Sequence, residues 1–144
     1  MTRKEGGSFA AKRPPGEKAD PRIAEAVKAK TAGGEFTCRD AEKLTAALQV
    51  TMDKIGATLD LLEARIANCQ LGLFGYAPES RIVKPAPAVS PELEGAIRQA
   101  LVHDRLPCLA AWSIAAALGL PRMRVAEACE ALKIKVKPCQ LGAF

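Results

Sequence analysis

The sequence predicts a mainly α fold with short β segments, built as two tandem copies of one small module. Three observations lead there. First, Cys69-Gln70-Leu71-Gly72 recurs as Cys139-Gln140-Leu141-Gly142, and sliding residues 21–74 onto 91–144 without a gap gives 13 identities in 54 positions. Apolar-for-apolar exchanges such as Ile23/Leu93, Phe36/Leu106, Ile55/Val125 and Ile66/Val136 fall on core-type positions. A repeat of this length sets the architecture before any single element is considered. Second, apolar residues make up 49% of the chain but aromatics only 4%, which favours short helices packed on Ala and Leu. Third, Asp20-Pro21 and Ser90-Pro91 are matched helix starts, an N-cap oxygen followed by a proline at the first helical position.

The elements repeat in order. Ile23, Ala26 and Val27 mark a first helix, as do Leu93, Ala96, Ile97 and Leu101. A short extended piece follows, "EFTC" and "RLPC". A second helix covers "RDAEKLTAAL" and "LAAWSIAAAL", and after a tight turn a third covers "TMDKIGATLDLLE" and "PRMRVAEACEAL". In "KIKVKP" the period changes: Ile134 and Val136 alternate with Lys133, Lys135 and Lys137, a strand with one apolar and one cationic face. "ARIANCQ" takes its place in the first copy. Leu71/Leu141 and Phe74/Phe144 are expected to cover the core of their own module, with Gly72/Gly142 at the bend. The expected organisation is a disordered basic tail at 1–19 carrying Arg3, Lys4, Lys12 and Arg13, a first module at 20–74, a linker at 75–89, and a second module at 90–144. "RIVK" in the linker is a candidate return strand against "RIANCQ". In the second copy no such strand is expected. Modules of this size sit near the lower limit for an independent core, so the copies are expected to pack together or the chain to dimerise.

Helix, short strand, helix, tight turn, helix, strand resembles the winged helix-turn-helix superfamily. The second copy carries the likeness best: small Ala115 where helices cross, Gly119 in the turn, and Val125 on the third helix, with Ile114, Leu118 and Leu120 around them. The first copy departs from the pattern, with Thr45 and Gln49 at the first two of these positions. The resemblance implies two tandem winged-helix-like modules and duplex DNA as partner, with the second copy inserting its third helix into the major groove. Arg122, Met123, Arg124 and Glu127 then lie nearest base edges, and Lys133, Lys135 and Lys137 contact phosphates. In the first copy Asp53, Asp60 and Glu63 against Lys54 make a poor face for phosphates.

The formal net charge of +5 is uneven. Residues 21–74 carry seven basic and seven acidic groups, whereas 75–144 carry nine and six. This excess favours a polyanionic partner in the second half. Trp112 matches Glu42, so its position is expected to be partly exposed, either at an interface or against its own first helix. Cys38 and Cys69 recur as Cys108 and Cys139, brought near each other if the strands flanking helices two and three pair. Three readings are open: small buried hydrophobes, a redox-switchable disulfide in each copy, or ligands for a metal or iron–sulfur cluster. Cys129, matching Leu59, is expected in the core. No apolar run reaches the length of a membrane span, and no secretory signal is apparent, so a cytoplasmic location is expected. No nucleophile–base pair, phosphate loop or paired carboxylates stand out, and His103 is the single histidine, so no enzymatic role is expected. Two function classes remain: a transcriptional regulator that binds DNA, with thiols or a metal as possible sensors, and a protein-interaction adaptor that does not bind DNA.

Overall fold

The computed structural model describes residues 16–31 and 33–143. The protein is mainly helical with one small two-stranded sheet. Among the described residues the order is α1 Pro21–Lys30, β1 Glu35–Thr37, α2 Cys38–Leu48, α3 Met52–Leu61, β2 Arg65–Ala67, α4 Pro91–Gln99, α5 Cys108–Leu118 and α6 Arg122–Leu132. Each of the last three helices starts 70 positions after its counterpart, as the repeat requires.

The local causes are those of the sequence. Asp20 caps α1 by accepting from the Arg22 N–H (2.9 Å), and Ser90 caps α4 by accepting from the Leu93 N–H (3.2 Å), each with its proline in the first turn. Both α2 and α5 end on a left-handed residue, Gln49 at φ 54° and Gly119 at φ 67°. The next amide then turns back: Val50 donates to the Thr45 carbonyl (3.2 Å) and Leu120 to the Ala115 carbonyl (2.9 Å). Glu63 and Lys133 make the corresponding left-handed exits after α3 and α6, at φ 56° and 59°. The turn before β1 uses Gly33 and Gly34, both at positive φ, and the second copy keeps that conformation with His103 and Asp104.

Strand β1 pairs with β2 in parallel, with Phe36 opposite Ile66. The second copy reduces the same pairing to a single parallel bridge, Leu106 opposite Val136. The Leu106 N–H donates to the Lys135 carbonyl (2.9 Å) and the Lys137 N–H donates to the Leu106 carbonyl (2.8 Å). "KIKVKP" is therefore extended with its lysines exposed, but it is not a full strand.

The chain divides into two compact units, and their boundaries do not follow the repeat. Among the described residues, one comprises 16–69 with 141–143; the other is Gln70–Gln140. In unit 1, Ile23, Val27, Phe36, Ile55 and Leu59 are fully buried, and Leu141 joins them. In unit 2, Ile97, Leu106, Val125 and Cys129 form the centre, and Leu71, Phe74 and Val83 join them. The Leu-Gly phrase of each repeat thus closes the core of the other unit, not its own. Continuity along the chain suggested a local lid; the core it fills is non-local.

Other expectations are corrected. "RIVK" forms no strand with "RIANCQ". The Ile82 and Val83 amides donate to the Gly72 carbonyl (2.9 and 3.1 Å), and Val83 is buried within unit 2. Asp60 is buried on α3 and does not contribute to an exposed acidic face, while Asp53, Lys54 and Glu63 are exposed. Arg3, Lys4, Lys12 and Arg13 of the basic tail, and Phe144, lie outside the described residues.

The paired left-handed caps give opposite expectations. A β-carbon at this φ costs about 1 kcal/mol. Gln49→Gly should raise the stability of the chain by about that amount, and Gly119→Ala should lower it similarly, since an added Cβ there meets nothing within 4 Å and only the backbone is strained. Denaturant titrations of both variants measure this.

Candidate nucleic-acid interface

The parallel pairing places one residue of each strand at its outer edge, and there the copies differ. In unit 1 the register pair Glu35 and Arg65 carries opposite charges, joined by an exposed ion pair (3.9 Å). The equivalent positions in unit 2 are Arg105 and Lys135, both exposed and both cationic. Lys133 and Lys137 are exposed on either side of Lys135. None of these four cations forms an ion pair among the described residues. Like charges at facing positions of adjacent strands are unfavourable, whereas the opposite charges of the first copy are not. Arg105 was not among the residues singled out from sequence. Its signal, reversal of Glu35 at the repeat offset, acquires meaning only once Glu35 is known to face Arg65.

In the α5–turn–α6 unit Ala115 and Val125 are buried and Gly119 makes the turn. The surface of α6 is less open. Arg122 is half-buried; its guanidinium lies 3.7 Å from the centre of the Trp112 ring, and its Nη1 donates to Gln70 Oε1 (2.8 Å). Stacking a cation on an indole face contributes about 0.5–1 kcal/mol at a partly exposed site. This cluster gives the repeated glutamine of the first copy a role: it ties the Cys-Gln-Leu-Gly phrase to the start of α6. Trp112 is half-buried under Arg122, with its Nε1 buried and unmatched by an acceptor among the described residues.

One flank of α6 carries the segment that leads out of the first repeat. Gly72 lies against Met123 and Ile82; a Cβ on it would meet the Met123 Cε at 3.0 Å. The Ala86 N–H donates to the Glu127 carbonyl (3.0 Å), and Arg81 pairs with Glu130 (2.6 Å). Glu127 also pairs with Arg124 (3.4 Å). Of the four α6 residues placed near base edges from sequence, Arg124 alone is exposed. The three lysines placed on phosphates all are.

The five cysteines are thiols; Cys38, Cys69, Cys108 and Cys129 are buried and Cys139 is half-buried. In unit 2 the Cys108 N–H donates to the Pro138 carbonyl (3.0 Å), and Gln140 Nε2 donates to the Cys108 sulfur (3.4 Å), so Cys108 lies beside the segment holding Cys139. Among the described residues no three His, Cys, Asp or Glu side chains come together in a group fit to hold a metal. Nor is any described helix long and apolar enough to cross a membrane. Burial, with a smaller contribution from Glu130, pushes the Cys129 thiol up to about 12. Comparison with protein-family models, curated proteins and solved structures finds no match for this chain.

The Cys129 environment sets a chemical expectation. The thiolate is the reactive form. At pH 8.5 Cys129 in the native chain should alkylate on the order of a thousandfold more slowly than in the unfolded chain, with the half-buried Cys139 reacting first. The folded state keeps the Cys129 proton where the unfolded state has lost it, so this residue's contribution to stability is intact below pH 9.0 and falls as pH rises toward about 12. Mass spectrometry of timed iodoacetamide reactions checks the ranking.

Proposed function

We propose that the protein binds duplex DNA through the phosphate backbone, using the cationic edge of unit 2, and that it serves as a transcriptional regulator built on a tandem, winged-helix-like repeat. The observation that carries this reading is the charge reversal between repeats: Glu35 and Arg65 form an ion pair in the first, whereas Arg105 and Lys135 hold the same positions in the second. With Lys133 and Lys137 they put four cations on one extended edge beside the helix-turn-helix. Phosphate contacts fix position and supply salt-dependent affinity without reading sequence. Arg124, exposed at the start of α6, is the residue best placed to read a base edge.

A second reading, a protein-interaction adaptor, is favoured by one observation: the flank of α6 bearing Met123, Glu127 and Glu130 is occupied by residues 72–86 of the chain itself. A helix inserted deeply in the major groove needs that flank clear.

Fluorescence anisotropy of the reduced protein with a mixed-sequence duplex separates the two. The DNA reading expects affinity to fall steeply with salt. The triple variant Lys133→Ala, Lys135→Ala, Lys137→Ala should flatten the slope of log affinity against log salt by about 3. Absence of binding by the parent chain at low salt contradicts the DNA reading and leaves the adaptor.

A further inference from the structure

The recurring Leu-Gly phrase behaves as a docking element. In unit 1, Leu141 and Ala143 are 3% and 7% exposed, and the backbone of Leu141 lies directly on α3 at Gly56. A Cβ on Gly56 would overlap the Leu141 carbonyl oxygen and sit 2.8 Å from its carbonyl carbon. Gly142 follows at φ +80°, bending the segment. In unit 2 the same phrase is also buried, with different neighbours: Leu71 and Phe74 are 0% and 4% exposed, and Gly72, at φ +76°, lies against Met123 and Ile82.

In both units the phrase is delivered from the other repeat. The residue before it stays behind: Gln140 belongs to unit 2, where it donates to Cys108, and the chain passes to unit 1 between Gln140 and Leu141. The contacts of the segment in unit 1 include apolar burial and one close backbone approach. Neither depends on which chain supplies it. Exchange of an identical element between protomers is a low-cost route from such an arrangement to a dimer.

We propose that unit 1 carries a docking socket for the segment Leu141–Ala143, with Gly56 as its floor, and that the socket accepts this segment from a second copy of the chain. The chain's own segment competes at an effective concentration on the order of millimolar. Exchange therefore grows as the protein is concentrated, and the socket opens fully when its own segment is removed.

The test uses a fluorescein-labelled peptide, Pro-Cys-Gln-Leu-Gly-Ala-Phe, titrated by anisotropy under reducing conditions. Three proteins are compared: the full chain, the chain ending at Gln140, and that shortened chain with Gly56→Ala. Saturable binding to the shortened chain is expected, with at least tenfold weaker binding to the full chain, whose socket is filled, and to the Gly56→Ala form. Absence of binding to the shortened chain, or equal binding to all three, overturns the proposal. If shortening costs unit 1 its helicity in far-UV circular dichroism, the peptide must restore it; helicity lost and not restored also overturns the proposal. Alanine replacing glycine inside a helix ordinarily stabilises it, so a loss caused by Gly56→Ala is not an effect of helix propensity.

Discussion

The pairing of the residue before the second helix of each module with the residue after the third organises the rest of the structure. In unit 1 it is Phe36 with Ile66; in unit 2 it is Leu106 with Val136. Parallel partners cannot be joined by a tight hairpin; they require a crossover. Here the crossover is the pair of helices themselves, α2–α3 or α5–α6. Their ends are held together by one short parallel contact, and their tight turn is set by the left-handed Gln49 or Gly119. Phe36 and Leu106 are fully buried at the point of pairing, so the contact is both backbone hydrogen bonding and core. In unit 2 it also carries Cys108 to the segment that holds Cys139.

On this shared backbone the two copies present different surfaces. The first neutralises its strand edge with Glu35 and Arg65. The second leaves Arg105, Lys133, Lys135 and Lys137 exposed to solvent. Its third helix is tied down at Arg122 by Trp112 and Gln70, and flanked by the segment running from Gly72 to Ala86. Under the proposed DNA-binding function, this combination would place the weight of recognition on phosphate contacts, with Arg124 as the exposed cation of α6.

Much of this was legible in the sequence, because much of it is local. Asp20-Pro21 and Ser90-Pro91 start helices by chemistry contained in a few residues, and Gly119 ends one in the same way. The repeat offset supplied the rest of the element order, since a residue such as Cys129 inherits the core position of Leu59. What was not legible is non-local. Leu71 and Leu141 look alike and were expected to cover the modules they follow; which core they fill depends on where the chain crosses, and no local preference encodes that. "RIVK" has the composition of a strand, but the Gly72 carbonyl takes its amides. Asp60 is an acidic residue yet is buried. Arg105 drew no attention because its meaning lies in a partner 30 positions away, at Lys135.

The most direct test of the proposal that Arg105, standing where the first copy has Glu35, makes the edge of unit 2 bind an anion is the single substitution Arg105→Glu. It restores to unit 2 the acid–base pairing of Glu35 with Arg65 while leaving Lys133, Lys135, Lys137 and α6 untouched. Duplex affinity at low salt and thermal stability are measured together. DNA binding is expected to weaken, with a reduced salt slope, in a protein at least as stable as the parent. Unchanged DNA binding in a folded Arg105→Glu protein would contradict it.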